Sequence, residues 1–208
     1  MSITDENKVS YLNNLNVYLS SYATISAASF ELIKNLVKFQ QLAKNEILVA
    51  EGEIARNIYF LGNGAIRAFS SNEDGHTYNK NIFLKNRMIG SMVSSLLQKA
   101  STFTLQALDE CVLLSINFIK FKQLISENED LKNYYIAYLE KDWIIEKEQR
   151  EVSLVMDKAD VRYQKLIEAN PNIEKEVPLH HIASHLGITP TQLSRIRKDL
   201  KSSQNQHM

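Results

Sequence analysis

Apolar residues recur with two different periods along the chain, and the change of period divides it into segments. Between residues 8 and 38 they recur about every 3.6 positions, which predicts two short amphipathic helices. Further along, the period falls to about two, as in strands whose alternate side chains face a core. Six short β-type segments follow: residues 47–50, 58–61, 65–69, 78–83, 102–108 and 112–116. Short strands separated by turn sequences such as Gly62-Asn63-Gly64 predict a small antiparallel barrel or jelly roll.

A long helical pattern follows these segments. It runs with little interruption from about Ile119 to Met156, which is longer than a typical packing helix. Apolar residues recur in it every seven positions, as they do along one seam of a coiled coil. We expect this seam to be the dimer interface with a second copy: Leu124, Leu131, Tyr138, Ile145 and Val152. We expect a second stripe to pack on the barrel and so to connect a bound small molecule with the dimer helix: Ile136, Leu139 and Trp143.

Residues 179–200 have the pattern of a helix-turn-helix. Gly187 ends the first helix, because without a Cβ it can adopt the positive φ that a tight turn requires. Thr189 can cap the second helix, and Pro190 stands at its first position, where the missing NH leaves no bond unmade. The apolar residues of both helices fall on one stripe: Ile182, Leu186, Leu193, Ile196 and Leu200.

The opposite face of the second helix is polar and cationic. From residue 190 onward the chain has four basic side chains and one acidic one, which favours a polyanionic partner. Arginine can pair with guanine edges and glutamine with adenine, while threonine and serine can contact bases or phosphates. We expect these residues to contact double-stranded DNA: Thr189, Pro190, Thr191, Gln192, Ser194, Arg195, Arg197 and Lys198. The alternative is an ordinary solvated face on two packed helices.

Composition limits the other possibilities. The chain has 208 residues, 44% of them hydrophobic, and no net charge, so it can bury more than one core. Its single cysteine, Cys111, excludes an internal disulfide and a cysteine-rich metal cluster within one chain, and its apolar neighbours suggest a buried thiol. No stretch approaches the roughly 20 apolar residues of a membrane span, and the first residues lack a secretion signal. We therefore expect a cytoplasmic protein that does not enter a membrane.

The order of β-roll, long helix and helix-turn-helix resembles the bacterial Crp/Fnr superfamily of dimeric transcription regulators over nearly the whole chain. Several motifs carry this resemblance: residues 50–53, 58–61, Gly64, 88–90, 118–125, 186–190 and 193–197. The last two resemble short members of the family from Bacteroidetes-type bacteria. The resemblance implies an α+β fold: a double-stranded β-helix (jelly-roll, cupin-like) sensor domain at 1–125, a dimerisation helix at 126–156 and a helix-turn-helix domain at 157–208. It also implies a homodimer without catalytic activity that binds DNA and meets RNA polymerase.

The resemblance also suggests which residues read DNA. Positions that match Pro190, Thr191 and Arg195 face base edges in the family, and a neighbour such as Gln192 touches backbone phosphate. Of these three positions, only Arg195 has the basic side chain that is usual in the family. Because Pro190 and Thr191 replace a charged pair, we do not expect the family's best-known operator sequence.

The phosphate-binding cassette departs further from the family pattern. Cyclic-nucleotide binders have a glutamate after the cassette glycine and, later, an arginine for the phosphate, where this chain has Ser91 and Ser101. A buried phosphate without a cation is costly, so we do not expect cyclic AMP to bind. An uncharged polar effector is one expectation for this pocket: Gly90, Ser91, Met92, Ser101 and Thr102. The alternative is a pocket filled by side chains such as Met92, Leu96 and Phe103.

Two rival functions come from other classes. His181 and His185 are one helical turn apart, which is a possible metal-sensing pair, but two ligands make a weak site and we expect solvated histidines. The β-roll could instead bind a protein partner without any role for DNA. No nucleophile elbow or P-loop is present, so we predict no catalytic residues, no metal and no cofactor.

Overall fold

Two helices precede the sheets, as predicted. The computed structural model describes residues 3–72, 75 and 77–205. Helix α1 (Asp5–Ser20) begins after Thr4, whose side chain accepts a hydrogen bond from the Asn7 amide. Helix α2 (Ala27–Leu36) begins after Ser26, which accepts from the Ser29 amide. Such serine and threonine caps satisfy amides that have no partner inside the helix.

Eight strands form two four-stranded antiparallel sheets. In order they are β1 (Lys38–Leu42), β2 (Ile47–Val49), β3 (Asn57–Asn63), β4 (Ala65–Ser71), β5 (Thr77–Leu84), β6 (Arg87–Ile89), β7 (Thr104–Ala107) and β8 (Cys111–Asn117). One sheet has the order β1-β8-β3-β6 and the other β2-β7-β4-β5. Each of the six predicted segments overlaps a strand, so the antiparallel β-rich prediction is confirmed. Strands β1 and β6 were not predicted.

The sheets face each other across an apolar core. Leu61 and Leu113 of one sheet and Ile66 and Leu105 of the other belong to the same buried cluster. Cys111 lies in that core, as expected, and burial raises the pKa of its thiol to about 11. The two sheets therefore form a β-roll.

The helical pattern predicted from residue 119 to residue 156 is interrupted once, at Asn128. A short helix α3 (Met92–Leu97) lies within the roll, and α4 (Phe118–Glu127) follows it after β8. The backbone of Asn128 is extended, with φ −126° and ψ 122°, and this residue ends α4. A continuous helical stretch then comprises α5 (Glu129–Tyr138), a π-helical turn at Leu139–Ile145 and α6 (Glu146–Met156). We call residues 129–156 the long helix.

The predicted dimer seam is wrong in its first part. Leu131 and Tyr138 are only 0% and 7% exposed, because they pack in the chain's own core against α1 and β3 residues, and Leu124 packs against the same cluster. Ile145 and Val152 are more than half exposed. The second stripe is also divided, since Leu139 and Trp143 pack on that core while Ile136 faces solvent. A heptad of apolar residues marks a buried stripe, but a stripe can be buried by the same chain.

The C-terminal helices share a third core with the β-roll. They are α7 (Ala159–Ala169), α8 (Ile173–Glu176), α9 (Leu179–His185) and α10 (Pro190–Asn205). Ile182 and Leu193 of α9 and α10 pack in one cluster with Ala65 and Leu108 of the roll. Gly187 follows α9 with φ +68°, as predicted. Among residues 3–72, 75 and 77–205, no helix is both long and apolar enough to cross a bilayer.

Candidate nucleic-acid interface and ligand cavity

Reciprocal hydrogen bonds fix the start of α10. The backbone N–H of Gln192 donates to Thr189 Oγ1 at 3.2 Å, and the backbone N–H of Thr189 donates to Gln192 Oε1 at 2.9 Å. This is a capping box, which satisfies two amides at the helix start. The side-chain oxygen of Gln192, Oε1, therefore already accepts a backbone hydrogen bond, which limits the adenine contact predicted for this side chain.

Helix α10 has one buried and one exposed face. Leu193 is buried, and Ile196 and Leu200 pack partly buried against the same cluster. Most of the predicted DNA-contacting residues lie on the exposed face: Thr189, Pro190, Thr191, Gln192, Ser194, Arg195 and Lys198. The structure therefore brings these polar and basic side chains together on one accessible surface, which we call the α10 face.

Arg197 does not belong to the α10 face. Its Nε lies 2.6 Å from Glu174 Oε1, and its Nη2 donates to Glu174 Oε2 at 3.3 Å. The Tyr163 hydroxyl donates to the same carboxylate at 2.5 Å. Burial and this carboxylate raise the pKa of Tyr163 to about 12, while Glu174 raises the pKa of Arg197. The predicted DNA contact of Arg197 is therefore wrong, because its guanidinium joins α10 to α8 and, through Glu174, to α7.

Helix α9 docks on strand β5 of the roll. The Asn79 amide donates to Ser184 Oγ at 3.0 Å, and Asn79 Nδ2 donates to the His181 carbonyl oxygen at 3.0 Å. Ser184 Oγ in turn donates to the Thr77 carbonyl oxygen at 3.2 Å. Asn79 is fully buried by these contacts. We call this the α9–β5 contact.

Two histidines at the α9–β5 contact each face an arginine. His181 Nδ1 lies 3.3 Å from Arg67 Nη1, and His185 Nδ1 lies 3.2 Å from Arg150 Nη2. Burial first, and then the neighbouring cations, lower the pKa of both imidazoles to about 4. The expectation of solvated histidines is wrong for this pair. Within the described part of the chain, no group of three or more potential ligands could hold a metal ion, and the adjacent guanidinium groups also disfavour a cation.

The cassette serines are bonded to the protein itself. Ser101 Oγ lies 2.9 Å from Ser91 Oγ and 2.7 Å from the Phe103 carbonyl oxygen. Both serines are buried, whereas Thr102 is exposed. The expected polar-effector pocket is therefore wrong at these three positions, because their hydroxyl groups satisfy one another or face solvent. The alternative of a pocket filled by Met92, Leu96 and Phe103 holds only in part, because Met92 and Phe103 are buried but Leu96 is 48% exposed.

A cavity of about 420 Å³ lies beside the cassette. It is bounded by the roll, the long helix and the C-terminal helices, and Gly90 and Met92 of the predicted pocket line it. Its charged lining is predominantly basic: Lys80, Arg87, Lys147 and Arg150, with Asp142 and Glu146. His185 and Tyr138 also line it. Sequence reasoning missed this group because its members come from β5, β6, the long helix and α9, and no local motif connects them.

Comparison with known proteins supports this fold. Residues 39–128 match the cyclic nucleotide-binding domain family. The fold is similar to that of FixK2 from Bradyrhizobium japonicum, with a TM-score of 0.68 at 14% identity over 80% of this chain and 85% of that one. It is also similar to the c-di-GMP responsive global regulator CLP from Xanthomonas campestris, with a TM-score of 0.62 at 15% identity over 86% of this chain and 93% of that one.

Two further similarities are weaker. The catabolite activator protein of Thermus thermophilus gives a TM-score of 0.53 at 14% identity over 89% of this chain and 87% of that one. A glycosyltransferase of Rickettsia canadensis, UDP-N-acetylglucosamine–N-acetylmuramyl-(pentapeptide) pyrophosphoryl-undecaprenol N-acetylglucosamine transferase, is 29% identical over 145 residues, or 65% of this chain. The chain spans only 40% of that transferase. Taken together, residues 39–128 resemble the cyclic nucleotide-binding domain family, and the fold as a whole is similar to those of FixK2, CLP and the Thermus catabolite activator protein.

Proposed function

We propose that this chain is a dimeric transcription regulator, in which α9 and α10 form a helix-turn-helix and α10 enters the major groove of double-stranded DNA. One observation carries the proposal. The α10 face exposes Thr191, Ser194, Arg195 and Lys198 opposite the buried Leu193. A recognition helix needs this arrangement, because it must present hydrogen-bonding and cationic side chains while its other face is held by the domain.

Each side chain of the α10 face has a role in this proposal. Arg195 pairs with a guanine edge, and Thr191 and Ser194 contact bases or phosphates near the start of the helix. Lys198 lies one turn after Ser194 and neutralises a backbone phosphate. Pro190 and the capping box at Thr189 fix the angle at which the helix begins. The proposed domain organisation is a sensor domain at 1–125, a dimerisation helix at 126–156 and a DNA-binding domain at 157–208.

The outer face of the long helix supplies the dimer interface in this proposal. Its apolar residues are each at least 52% exposed: Ile136, Ile144, Ile145, Val152 and Val155. Exposed apolar groups are stabilised by about 25 cal/mol for each Å² that a partner removes from water. The π-helical turn at Leu139–Ile145 holds more residues per turn than an α-helix, and it thereby changes which residues of α6 continue this face. A second copy pairing along this face would place the two α10 helices on adjoining half-sites about 34 Å apart.

Selection of DNA from a random pool by the full chain tests the proposal. The bound duplexes should share a near-palindromic sequence, and their affinity should fall steeply between about 50 and 200 mM salt, because DNA binding releases counterions from phosphates. RNA polymerase is the further partner that such a regulator meets at a promoter. A pool that shows no enrichment, or binding that does not change with salt, would favour the alternative in which the β-roll is a protein-interaction module.

A further inference from the structure

We propose that the long helix has a second register, in which the π-helical turn at Leu139–Ile145 becomes α-helical and α6 shifts by one residue. In this turn the Glu146 N–H donates to the Lys141 carbonyl oxygen, which lies five residues before it instead of four. The turn therefore holds one residue more than an α-helix needs. Without it, α6 would be rotated by about 100° relative to α5, the angle between neighbouring residues of an α-helix. The second register does not require DNA; only its effect on DNA binding rests on the proposed function.

The apolar heptad of the long helix is the first argument for a second register. Before the turn, Leu131 and Tyr138 are 0% and 7% exposed. After it, Ile145 and Val152 are 52% and 54% exposed. Seven residues of an uninterrupted α-helix fall only about 20° short of two full turns, so all four side chains would then lie on one stripe. The π-helical turn is thus what directs the last two of them to solvent.

The side of α6 that faces the protein is polar in the present register. Glu146, Arg150 and Ser153 are its partly buried residues, and its other residues are exposed. Burial lowers the pKa of Arg150, because these surroundings disfavour its charge. Glu146 lies 3.6 Å from Arg87, in a pair that is itself largely exposed. A helix face that packs against a protein is usually apolar instead.

A shift by one residue would make this side more apolar. The residue before each partly buried one would take its place: Ile145 for Glu146, Gln149 for Arg150, and Val152 for Ser153. Two of the three incoming side chains are apolar and now more than half exposed. The shift would therefore bury apolar surface and return two charged groups to water, and both changes are favourable.

Contacts with the C-terminal helices oppose the shift. Arg150 Nη2 lies 3.2 Å from His185 Nδ1 of α9, and Ser153 Oγ donates to Asp157 at the end of α6. Asp157 also pairs with Lys165 of α7 at 2.7 Å. Rotation of α6 would separate Arg150 from His185, so α7 and α9 would have to leave their present positions. The register of the long helix and the position of the C-terminal helices are thus coupled, and whatever favours one arrangement of the helices shifts the register as well.

Methyl relaxation-dispersion NMR of the full chain tests the second register, because helix register shifts occur on the μs–ms timescale that it detects. The methyl groups of Ile145 and Val152 should exchange with a minor state of about 0.1 to 10%. Those of Ile136 should not, because this residue precedes the turn on the same helix and has a similar exposure of 55%. The exchange should not depend on protein concentration, which distinguishes it from dissociation of a dimer.

Two substitutions and one deletion locate the exchange in the turn. Gln149→Leu should raise the minor population about tenfold, because a leucine there is buried only in the shifted register. Glu148→Leu is the matched control and should leave the population unchanged, because residue 148 would take the present, exposed place of Gln149. Deletion of Glu140, an exposed residue of the turn, removes the extra residue. It should abolish the exchange while α6 keeps its present orientation, and circular dichroism checks that this variant folds.

Three results would overturn the second register: no exchange in both the parent and Gln149→Leu, a rise in Glu148→Leu as large as in Gln149→Leu, or exchange that persists after deletion of Glu140. None of these measurements contains DNA, so their failure leaves the proposed DNA binding untouched. Addition of the selected duplex to the labelled parent tests the effect on DNA binding. The duplex should change the minor population, and an unchanged population would refute this effect alone.

Discussion

Arg197 and Glu174 form a two-point ion pair that connects α10 with α8, with 2.6 Å between Nε and Oε1. Tyr163 of α7 donates to the same carboxylate. Three helices are thus joined at one partly buried group on the opposite side of α10 from Arg195. Two arginines that are two residues apart in sequence therefore have different surroundings, and they should respond differently to substitution.

Replacing Arg197 with alanine should destabilise the C-terminal helices. The substitution removes the cation that pairs with the partly buried Glu174 carboxylate, and the expected loss is about 1 to 2 kcal/mol in the free energy of unfolding. Urea denaturation followed by circular dichroism measures it. Arg195→Ala is the matched control and should change stability by less than about 0.5 kcal/mol, because its side chain is exposed. Equal losses in the two variants would contradict the structural role of Arg197.

Arg195 and Lys198 should affect DNA binding in different ways. Arg195→Ala should reduce the preference of the protein for its selected duplex over a duplex with one changed guanine by about 1 to 3 kcal/mol. Lys198→Ala should weaken binding to both duplexes by a similar factor and should reduce the salt slope by about one. Fluorescence anisotropy at several salt concentrations separates these effects. The assignment of the α10 face fails if both variants bind both duplexes like the parent.

A charge on the outer face of the long helix should dissociate the dimer. Val152→Glu and Ile144→Glu each place a carboxylate among apolar residues that a second copy would bury, and an unpaired buried charge is strongly unfavourable. Light scattering after size-exclusion chromatography measures the mass. Val17→Glu is the control, since Val17 is an exposed apolar residue of a different helix, α1.

Leu131 distinguishes the two interpretations of the heptad pattern. Because its side chain is fully buried within one chain, Leu131→Ala should lower stability by about 2 to 5 kcal/mol. It should leave the mass of the folded protein unchanged. If Leu131→Ala instead yields a stable monomer, the heptad seam predicted from the sequence is the dimer interface.

The sequence alone was sufficient wherever a local pattern determines the structure. Alternating apolar residues located six strands, and Gly187 and Pro190 placed the turn between α9 and α10. It was insufficient for β1, where only Leu42 is buried and no alternation is visible. The break at Asn128 had a signal, since Asn128 precedes the acidic residues Glu129 and Asp130, a pattern that is typical of a helix start.

The pattern of apolar and polar residues does not reveal contacts between segments that are distant in sequence. Glu174 is 23 residues before Arg197 and on another helix, so periodicity cannot show that the two pair. The cavity cations Lys80 and Arg150 likewise come from separate elements. The histidines of α9 were interpreted from their mutual spacing, although the groups that decide their chemistry are Arg67 of β4 and Arg150 of α6. Such sites depend on tertiary packing, which a single sequence does not display.

Acid should release α9 from the roll. The pKa of His185 is about 4 in the α9–β5 contact, where burial and Arg150 disfavour its charged form and the Asn79 carbonyl only partly offsets them. His181 has a similar pKa because of burial, Arg67 and His180. A free histidine has a pKa near 6.5. Docking is therefore fully favourable above pH 6.5 and weakens as pH falls from 6.5 to about 4, because only the undocked state binds the protons.

Hydrogen exchange of the Asn79 amide, which donates to Ser184, measures the release. Its protection should decrease between pH 7 and pH 5, after correction for intrinsic exchange, by up to about 1.4 kcal/mol per pH unit for His185 below its free pKa. His185→Asn removes one of the two titrating groups and should reduce this dependence by about half, whereas His180→Asn should keep most of it, because His180 has only a minor influence through His181. If the parent loses no protection at pH 5, or if both variants lose it like the parent, then the two histidines do not control the docking of α9.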